Sequence, residues 1–226
     1  MIRRDYIMRI VQEMAQVLAR VITLKDRQEY DQAMRELGAA LRKLREAPSG
    51  TPDEASLEDW IALCHQHGPA ASGLMMAVAN LLAEQGELLT CQGESPAAHR
   101  SNALALGLSL EALLNGEAFV SAELLRNIDR LTGLVWQSLA DGGVWRRLLG
   151  YYEARGRYAQ AEDTLFAWQA TGDRASAATG LAFFARLDTL SDDELTHGNL
   201  PREEVKEGRR EFAFRCNSSA DASRAQ

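Results

Sequence analysis

The stretch that decides the fold runs from residue 145 to residue 165 and reads WRRLLGYYEARGRYAQAEDTL. Trp145, Leu148 and Tyr152 recur at intervals of three and four, which places them on one face of a helix. Gly156 follows one turn later, at a position where glycine commonly ends a helix. The spacing therefore predicts one helix, a tight turn at Gly156 and a second helix.

The second half of this stretch has its own helical face, made of Tyr158, Ala161 and Leu165, and the small Ala161 lets the two helices approach closely. The whole pattern resembles the tetratricopeptide repeat, a helix-turn-helix unit of about 34 residues. Leu149 stands where that repeat usually has glycine, and Trp168 where it prefers a small residue. The unit is therefore a divergent one.

A second, partial match lies near the N-terminus. Tyr30, Ala33 and Leu37 repeat the spacing of the repeat's second helix. Gln28 replaces the turn glycine, and Val17 replaces the tryptophan. The sequence thus predicts a helical hairpin here as well, because the connection between its two helices is short.

Two further stretches resemble a family of uncharacterised bacterial proteins. They are the opening MIRRDYI, residues 1–7, and the late phrase LPREEV, residues 200–205. The resemblance implies a tetratricopeptide-like helical fold and no assigned activity.

We therefore expect an all-α fold, a tetratricopeptide-like stack of antiparallel helical hairpins that forms an α-α superhelix. No segment alternates at period two, so no strand is predicted. We expect a single helical-repeat domain over residues 1–215 and a disordered tail over residues 216–226. The breaks at residues 48–52 and 92–97 are the alternatives for a sub-division, since both contain proline and glycine.

Three capping patterns predict helix starts. Residues 51–54 and residues 56–59 are rival starts for the same helix, and residues 191–194 form a third pattern. The last helix is predicted to open at Pro201 and to end near Phe214.

Composition excludes several function classes. The 226 residues are 46% hydrophobic and carry a net charge of −7, which disfavours non-specific binding to nucleic acid or anionic membranes. No stretch reaches the roughly 18 apolar residues of a membrane helix. Cys64, Cys91 and Cys216 are an odd, widely spaced set, which indicates a reducing compartment and predicts a cytoplasmic protein.

Catalytic and metal signatures are weak. The sequence contains no phosphate-binding loop, no Gly-x-Ser-x-Gly elbow and no His-Glu-x-x-His. Cys64, His65 and His67 form the one Cys/His cluster, but a structural zinc needs four ligands. We predict no catalytic residue, no metal and no cofactor, and we expect a buried thiol beside surface histidines.

Candidate partner-binding residues follow from the resemblance. In tetratricopeptide proteins the first helix of each unit lines a concave groove, which implies that Arg146 and Glu153 face such a groove here. Aromatic side chains are concentrated in this half of the chain, and Tyr152 is the candidate aromatic contact. In the N-terminal unit Leu18 and Ile22 are too apolar for water, so we expect a neighbouring helix or another subunit to cover them.

The leading functional hypothesis is a non-catalytic helical-repeat scaffold that presents a surface to an unidentified protein or peptide and also forms a homo-oligomer. Nucleic acid and membrane are not expected as partners. The alternative is a small-ligand sensor or an enzyme with a pocket between helices, because irregular stacking leaves cavities.

Overall fold

The structure, a computed structural model, describes residues 2–44, 55–115 and 120–224. These three ranges contain eleven α-helices, a 3₁₀ turn at Gly68–Ala70 and no strand, so the all-α prediction is confirmed. The helices are α1 Ile2–Asp26, α2 Tyr30–Leu44, α3 Leu57–His65, α4 Ala71–Cys91, α5 Ser95–Asn115, α6 Ala122–Val135, α7 Gly142–Ala154, α8 Tyr158–Ala170, α9 Ala175–Leu187, α10 Asp192–His197 and α11 Arg202–Arg224.

The chain divides into two compact units. The first, Met1–Leu139, contains α1 to α6, and the second, Ala140–Gln226, contains α7 to α11. The break at residues 92–97 connects α4 to α5 inside the first unit, and the break at residues 48–52 lies outside the described residues.

The first unit is built around the pair α4 and α5, onto which the other helices pack. Glycines allow this close packing. A Cβ at Gly86 of α4 would collide with Asn102 of α5, and a Cβ at Gly107 of α5 would collide with Leu57 of α3. Fully buried aliphatic side chains fill the space between the helices: Leu74, Val78, Leu81, Leu88, Ala105, Leu106, Leu108 and Leu110.

The second unit starts with the predicted hairpin, and α7 and α8 pack against each other. Gly156 ends the first helix with φ +66°, and the N–H of Arg157 donates to the carbonyl of Tyr152 over 2.9 Å. This is the Schellman arrangement, which satisfies a carbonyl at the helix end. Four of the predicted core residues are buried as expected, and Tyr158 on the same face of the second helix is half-buried: Trp145, Leu148, Ala161 and Leu165 are the buried ones.

Helices α9, α10 and α11 complete the second unit. A Cβ at Gly180 of α9 would overlap the ring of Phe212 on α11, and that ring lies 5.8 Å from the ring of Phe184. A Cβ at Gly198, after α10, would overlap the ring of Tyr158. Gly180 and Gly198 therefore lie where an aromatic ring packs directly against the backbone. This supports core filling as the role of Phe212 and Tyr158.

The first hairpin has the same turn without a glycine. Gln28 takes φ +61°, and the N–H of Glu29 donates to the carbonyl of Leu24 over 2.9 Å. Residues other than Gly, Asn and Asp rarely adopt this left-handed backbone conformation. Gln28 is thus a departure from the repeat in sequence, but it keeps the same backbone geometry.

The bulky Trp168 also has a local explanation. Its indole N–H donates to Asp173 Oδ2 over 2.8 Å, and the side chain is fully buried. A Cβ at Gly142, where α7 begins, would collide with that same carboxylate oxygen. The missing side chain at Gly142 therefore makes room for the Trp168–Asp173 pair.

Helix caps confirm two of the predicted starts. Ser56 and Asp59 form a complete capping box for α3, and Ser191 and Glu194 form one for α10. The rival start at residues 51–54 lies outside the described residues. The final helix continues to Arg224, beyond its predicted end, so its backbone is helical over most of the segment for which the sequence predicts a disordered tail.

Candidate functional site

The three residues predicted to bind a partner have different surroundings in α7. Tyr152 is buried, with 6% of its surface exposed. Glu153 forms a two-pronged ion pair with Arg186 of α9, with an Nε–Oε1 distance of 2.5 Å and an Nη2–Oε2 distance of 2.7 Å. Such a pair fixes both side chains, so Glu153 connects α7 to α9.

Arg146 is exposed on α7. The pKa of Asp173 lies below its usual value because the N–H of Ala175 and the indole of Trp168 donate to its carboxylate, and the charge of Arg146 adds to this effect. Of the three residues, Arg146 is therefore the one that presents its side chain to solvent. The binding role of all three stays a prediction.

Helix α1 carries two apolar stripes. The inner stripe faces the rest of the unit and contains the buried residues Met14, Val21 and Leu24 together with the half-buried Ile10 and Val17. Its members are spaced by four, three, four and three residues. A 3.5-residue period is the spacing at which one helix packs along another.

The outer stripe of α1 has the same period and consists of Met8, Val11, Ala15, Leu18 and Ile22. At 3.6 residues per turn, it lies about 120° around the helix from the inner stripe. Met8 is 52% exposed and Ile22 is 40% exposed, while Val11 and Leu18 are half-buried. No helix of the described ranges covers the outer stripe completely. The sequence drew attention to Leu18 and Ile22, but it did not separate this stripe from the inner one.

A shallow groove of about 410 Å³ lies between α1 and α2. Two ion pairs cross it, Lys43 Nζ to Glu13 Oε2 at 2.7 Å and Arg20 Nε to Glu36 Oε2 at 2.8 Å. The hydrogen bond and the charge of Lys43 lower the pKa of Glu13. Ion pairs between side chains of α1 and α2 therefore span this groove, which distinguishes it from the apolar outer stripe on the same helix.

The Cys/His cluster is dispersed by the helix. Cys64 is fully buried, and burial raises the pKa of its thiol to about 12, which makes it a poor nucleophile. His65 points outward, with Nε2 at 3.8 Å from Glu111 Oε1. Among the residues that the structure describes, no three His, Cys, Asp or Glu side chains are arranged to hold a metal ion.

One acidic residue that the sequence did not single out is Glu162 of α8. Burial raises its pKa to about 7, and the negative charges of Asp163, Glu204 and Glu211 contribute to the rise. Its Oε1 atom is buried without a hydrogen-bond partner among the described residues, and a Cβ at Gly208 of α11 would collide with it. The sequence pattern gives no sign of such a residue, because a glutamate in an amphipathic helix is usually exposed to solvent.

The acidic and histidine side chains of α10 make ordinary helix-end contacts. Glu194 accepts hydrogen bonds from the backbone and the hydroxyl of Ser191, and His197 Nδ1 lies 2.8 Å from the carbonyl of Asp193.

None of the helices in the described ranges combines the length and the apolar content that crossing a membrane requires.

Fold and surfaces together define an all-helical protein with two compact units and an exposed apolar stripe on its first helix. The chain belongs to the family of unknown function DUF6483, which matches residues 1–215. The resemblance to an uncharacterised family is thereby confirmed. No curated protein and no solved structure matches the chain.

Proposed function

We propose that the protein is a non-catalytic helical-repeat scaffold that binds another protein or peptide and also associates with itself. The observation that carries the proposal is the outer stripe of α1, five apolar or small side chains at 3.5-residue spacing on the protein surface. An amphipathic helix lying along such a stripe would bury its own apolar face, which is a common mode of peptide recognition.

The stripe fits a helix better than it fits an extended strand or a small molecule. Ala15 lies at its centre, and a small side chain there lets a second helix approach closely. Leu18 and Ile22 on one side and Met8 and Val11 on the other would then supply the knobs of a coiled-coil packing. A second copy of α1 has the required pattern, which is why self-association belongs to the same proposal.

In the second unit, Arg146 is the remaining surface residue of the predicted groove, and we propose it as a separate binding residue of that unit. Arginine is over-represented among the residues that dominate binding energy, and Arg146 is exposed. Tyr152 and Glu153 would support the groove from behind, because one is buried and the other is held by Arg186.

Affinity purification from the native cell tests the proposal. The double variant Leu18→Glu/Ile22→Glu places two charges in the stripe, and Gln16→Glu places one on the polar face of the same helix as a matched control. We expect the wild type and Gln16→Glu to retain a stoichiometric partner, and the double variant to lose it. Retention of the same partner by all three proteins would contradict the proposal.

Light scattering tests self-association separately. We expect the wild type to show a mass above that of the monomer at high micromolar concentration, and the double variant to be a monomer. A monomeric wild type would refute the self-association.

A further inference from the structure

A second surface feature of the first unit is a cleft among α2, α4 and α5, with Trp60 of α3 at its base. Its volume is about 540 Å³, within the range of roughly 300–1,000 Å³ that is typical of small-molecule sites. Its lining residues come from the four helices α2, α3, α4 and α5.

The floor of the cleft is apolar. Leu41, Trp60 and Leu82 are buried at its base, and Leu89 and Leu104 are half-buried along its sides. An inorganic ion would leave this floor in contact with water. A ligand with a hydrocarbon or aromatic part would cover it, gaining about 25 cal/mol for each Å² of apolar surface removed from water.

The mouth of the cleft is basic. Arg42 and Arg100 are both exposed, and neither forms an ion pair with any residue that the structure describes. Among the residues that the structure describes, no acidic side chain lines the cleft. Two exposed guanidiniums beside one apolar cleft give its mouth a positive charge in a chain whose net charge is −7.

Gly38 positions one of these guanidiniums. It lies in the middle of α2, where glycine costs about 1 kcal/mol relative to alanine. A Cβ at this position would lie 3.2 Å from Arg42 Nη1, closer than side chains normally approach. The absence of a side chain at Gly38 therefore lets Arg42 fold back along α2 beside the cleft.

A polar pair lies on the wall between α4 and α5. Ser101 Oγ donates to Gln85 Oε1 over 3.2 Å, which leaves the amide N–H groups of Gln85 as donors. A few polar groups placed in this way fix the orientation of a ligand in an otherwise apolar site.

We propose that this cleft binds a small organic anion with an apolar body, such as an alkyl or aryl carboxylate. The carboxylate lies between Arg42 and Arg100, which can each donate two parallel hydrogen bonds. The apolar body lies on Leu41, Trp60 and Leu82. This is the small-ligand alternative of the sequence analysis, and it is independent of the stripe on α1.

Calorimetric titration of the full chain with octanoate tests the proposal. Acetate has the charge without the apolar body, and 1-octanol has the apolar body without the charge. We expect octanoate to bind with one-to-one stoichiometry and at least tenfold more tightly than either. Octanoate binding that is absent, or no tighter than that of octanol, would overturn the proposal.

Three variants locate the site. Arg42→Gln/Arg100→Gln is expected to weaken octanoate at least tenfold and to leave octanol unchanged, whereas Ala97→Trp fills the exposed edge of the cleft and is expected to weaken both. Arg126→Gln removes an exposed arginine outside the cleft and serves as the control. Unchanged helical circular dichroism verifies that each variant folds. If the double arginine variant binds octanoate as the wild type does, the cleft is not the site.

Discussion

The hairpins α1/α2 and α7/α8 share one turn geometry but differ in how their first helix is covered. Gln28 and Gly156 both take a left-handed conformation and are followed by the same 6→1 backbone hydrogen bond. Ala33 and Leu37 in one hairpin are as fully buried as Ala161 in the other. The second helices of the two hairpins therefore have equivalent cores.

The first helices differ. Trp145 of α7 is 1% exposed, whereas Val17, eleven residues before the equivalent turn, is only half-buried in α1. Leu148 of α7 is fully buried, and its counterpart in α1 is the exposed Arg20. The α7/α8 hairpin, called the aromatic hairpin below, uses its apolar surface to stabilise its own unit. The α1/α2 hairpin, called the aliphatic hairpin, leaves part of its apolar surface exposed.

Truncation of the aligned residues should give the largest contrast. We expect Trp145→Ala to lower the free energy of unfolding of its unit by about 3–5 kcal/mol, because it leaves a large cavity. Val17→Ala removes less volume from a half-buried site and should cost about 1 kcal/mol or less. Urea unfolding followed by circular dichroism measures both, and equal losses would mean that the two helices are covered alike.

The next contrast lies at the sixth position after each turn, where α8 has Glu162 and α2 has Met34. The raised pKa of Glu162, about 7 against an ordinary 4.5, means that the folded state prefers the protonated form. Its contribution to stability is therefore fully present below about pH 4.5 and is lost as the pH rises through 7.

We accordingly expect Glu162→Gln to stabilise the second unit at pH 8 by about 1–2 kcal/mol, with allowance for the partial exposure of the side chain, and to have little effect at pH 4.5. Glu207→Gln, which changes an exposed acid on α11, is the matched control. Urea unfolding at the two pH values measures the difference. The same gain at both pH values would contradict the raised pKa.

Breaking the turn of the aromatic hairpin should have an effect of similar size. Gly156→Ala forces a side chain into the left-handed conformation, which costs about 1–2 kcal/mol. Thermal unfolding of the variant should show a lower midpoint temperature. An unchanged midpoint would indicate that the turn does not require the left-handed conformation at position 156.

The smallest effect is expected for the reciprocal change. Gln28→Gly relieves the strain in the aliphatic hairpin, and part of the gain is offset by the greater freedom of glycine in the unfolded chain, leaving about 0.5–1 kcal/mol of stabilisation. A loss of stability on the same thermal unfolding measurement would show that the Gln28 side chain makes a contact worth more than the strain.

The α7/α8 hairpin was predictable because a helical period and a turn glycine lie within one continuous stretch, residues 145–165. The turn at Gln28 was harder to predict, since glutamine is uncommon in this conformation and the packing of Ala33 and Leu37 imposes it. Tyr152 is buried together with Trp145 and Leu148, and its place on their helix face already indicated this burial.

The cleft illustrates the limit of sequence reasoning for sites. Arg42 and Arg100 belong to helices far apart in sequence, and each looks like an ordinary solvated arginine. Only the packing of α2 and α5 against α4 brings them to one apolar cleft. The outer stripe of α1 is the opposite case, because its 3.5-residue period can be seen in the sequence once the inner stripe is set aside.

Photocross-linking in the native cell tests the central claim, that the outer stripe of α1 binds a protein helix. A benzophenone amino acid replaces Leu18 in the stripe or, as control, Gln16 on the polar face of the same helix. We expect a discrete cross-linked product from position 18, either to a second copy of the chain or to another protein, and none from position 16. No product from position 18, or equal products from both positions, would contradict the claim.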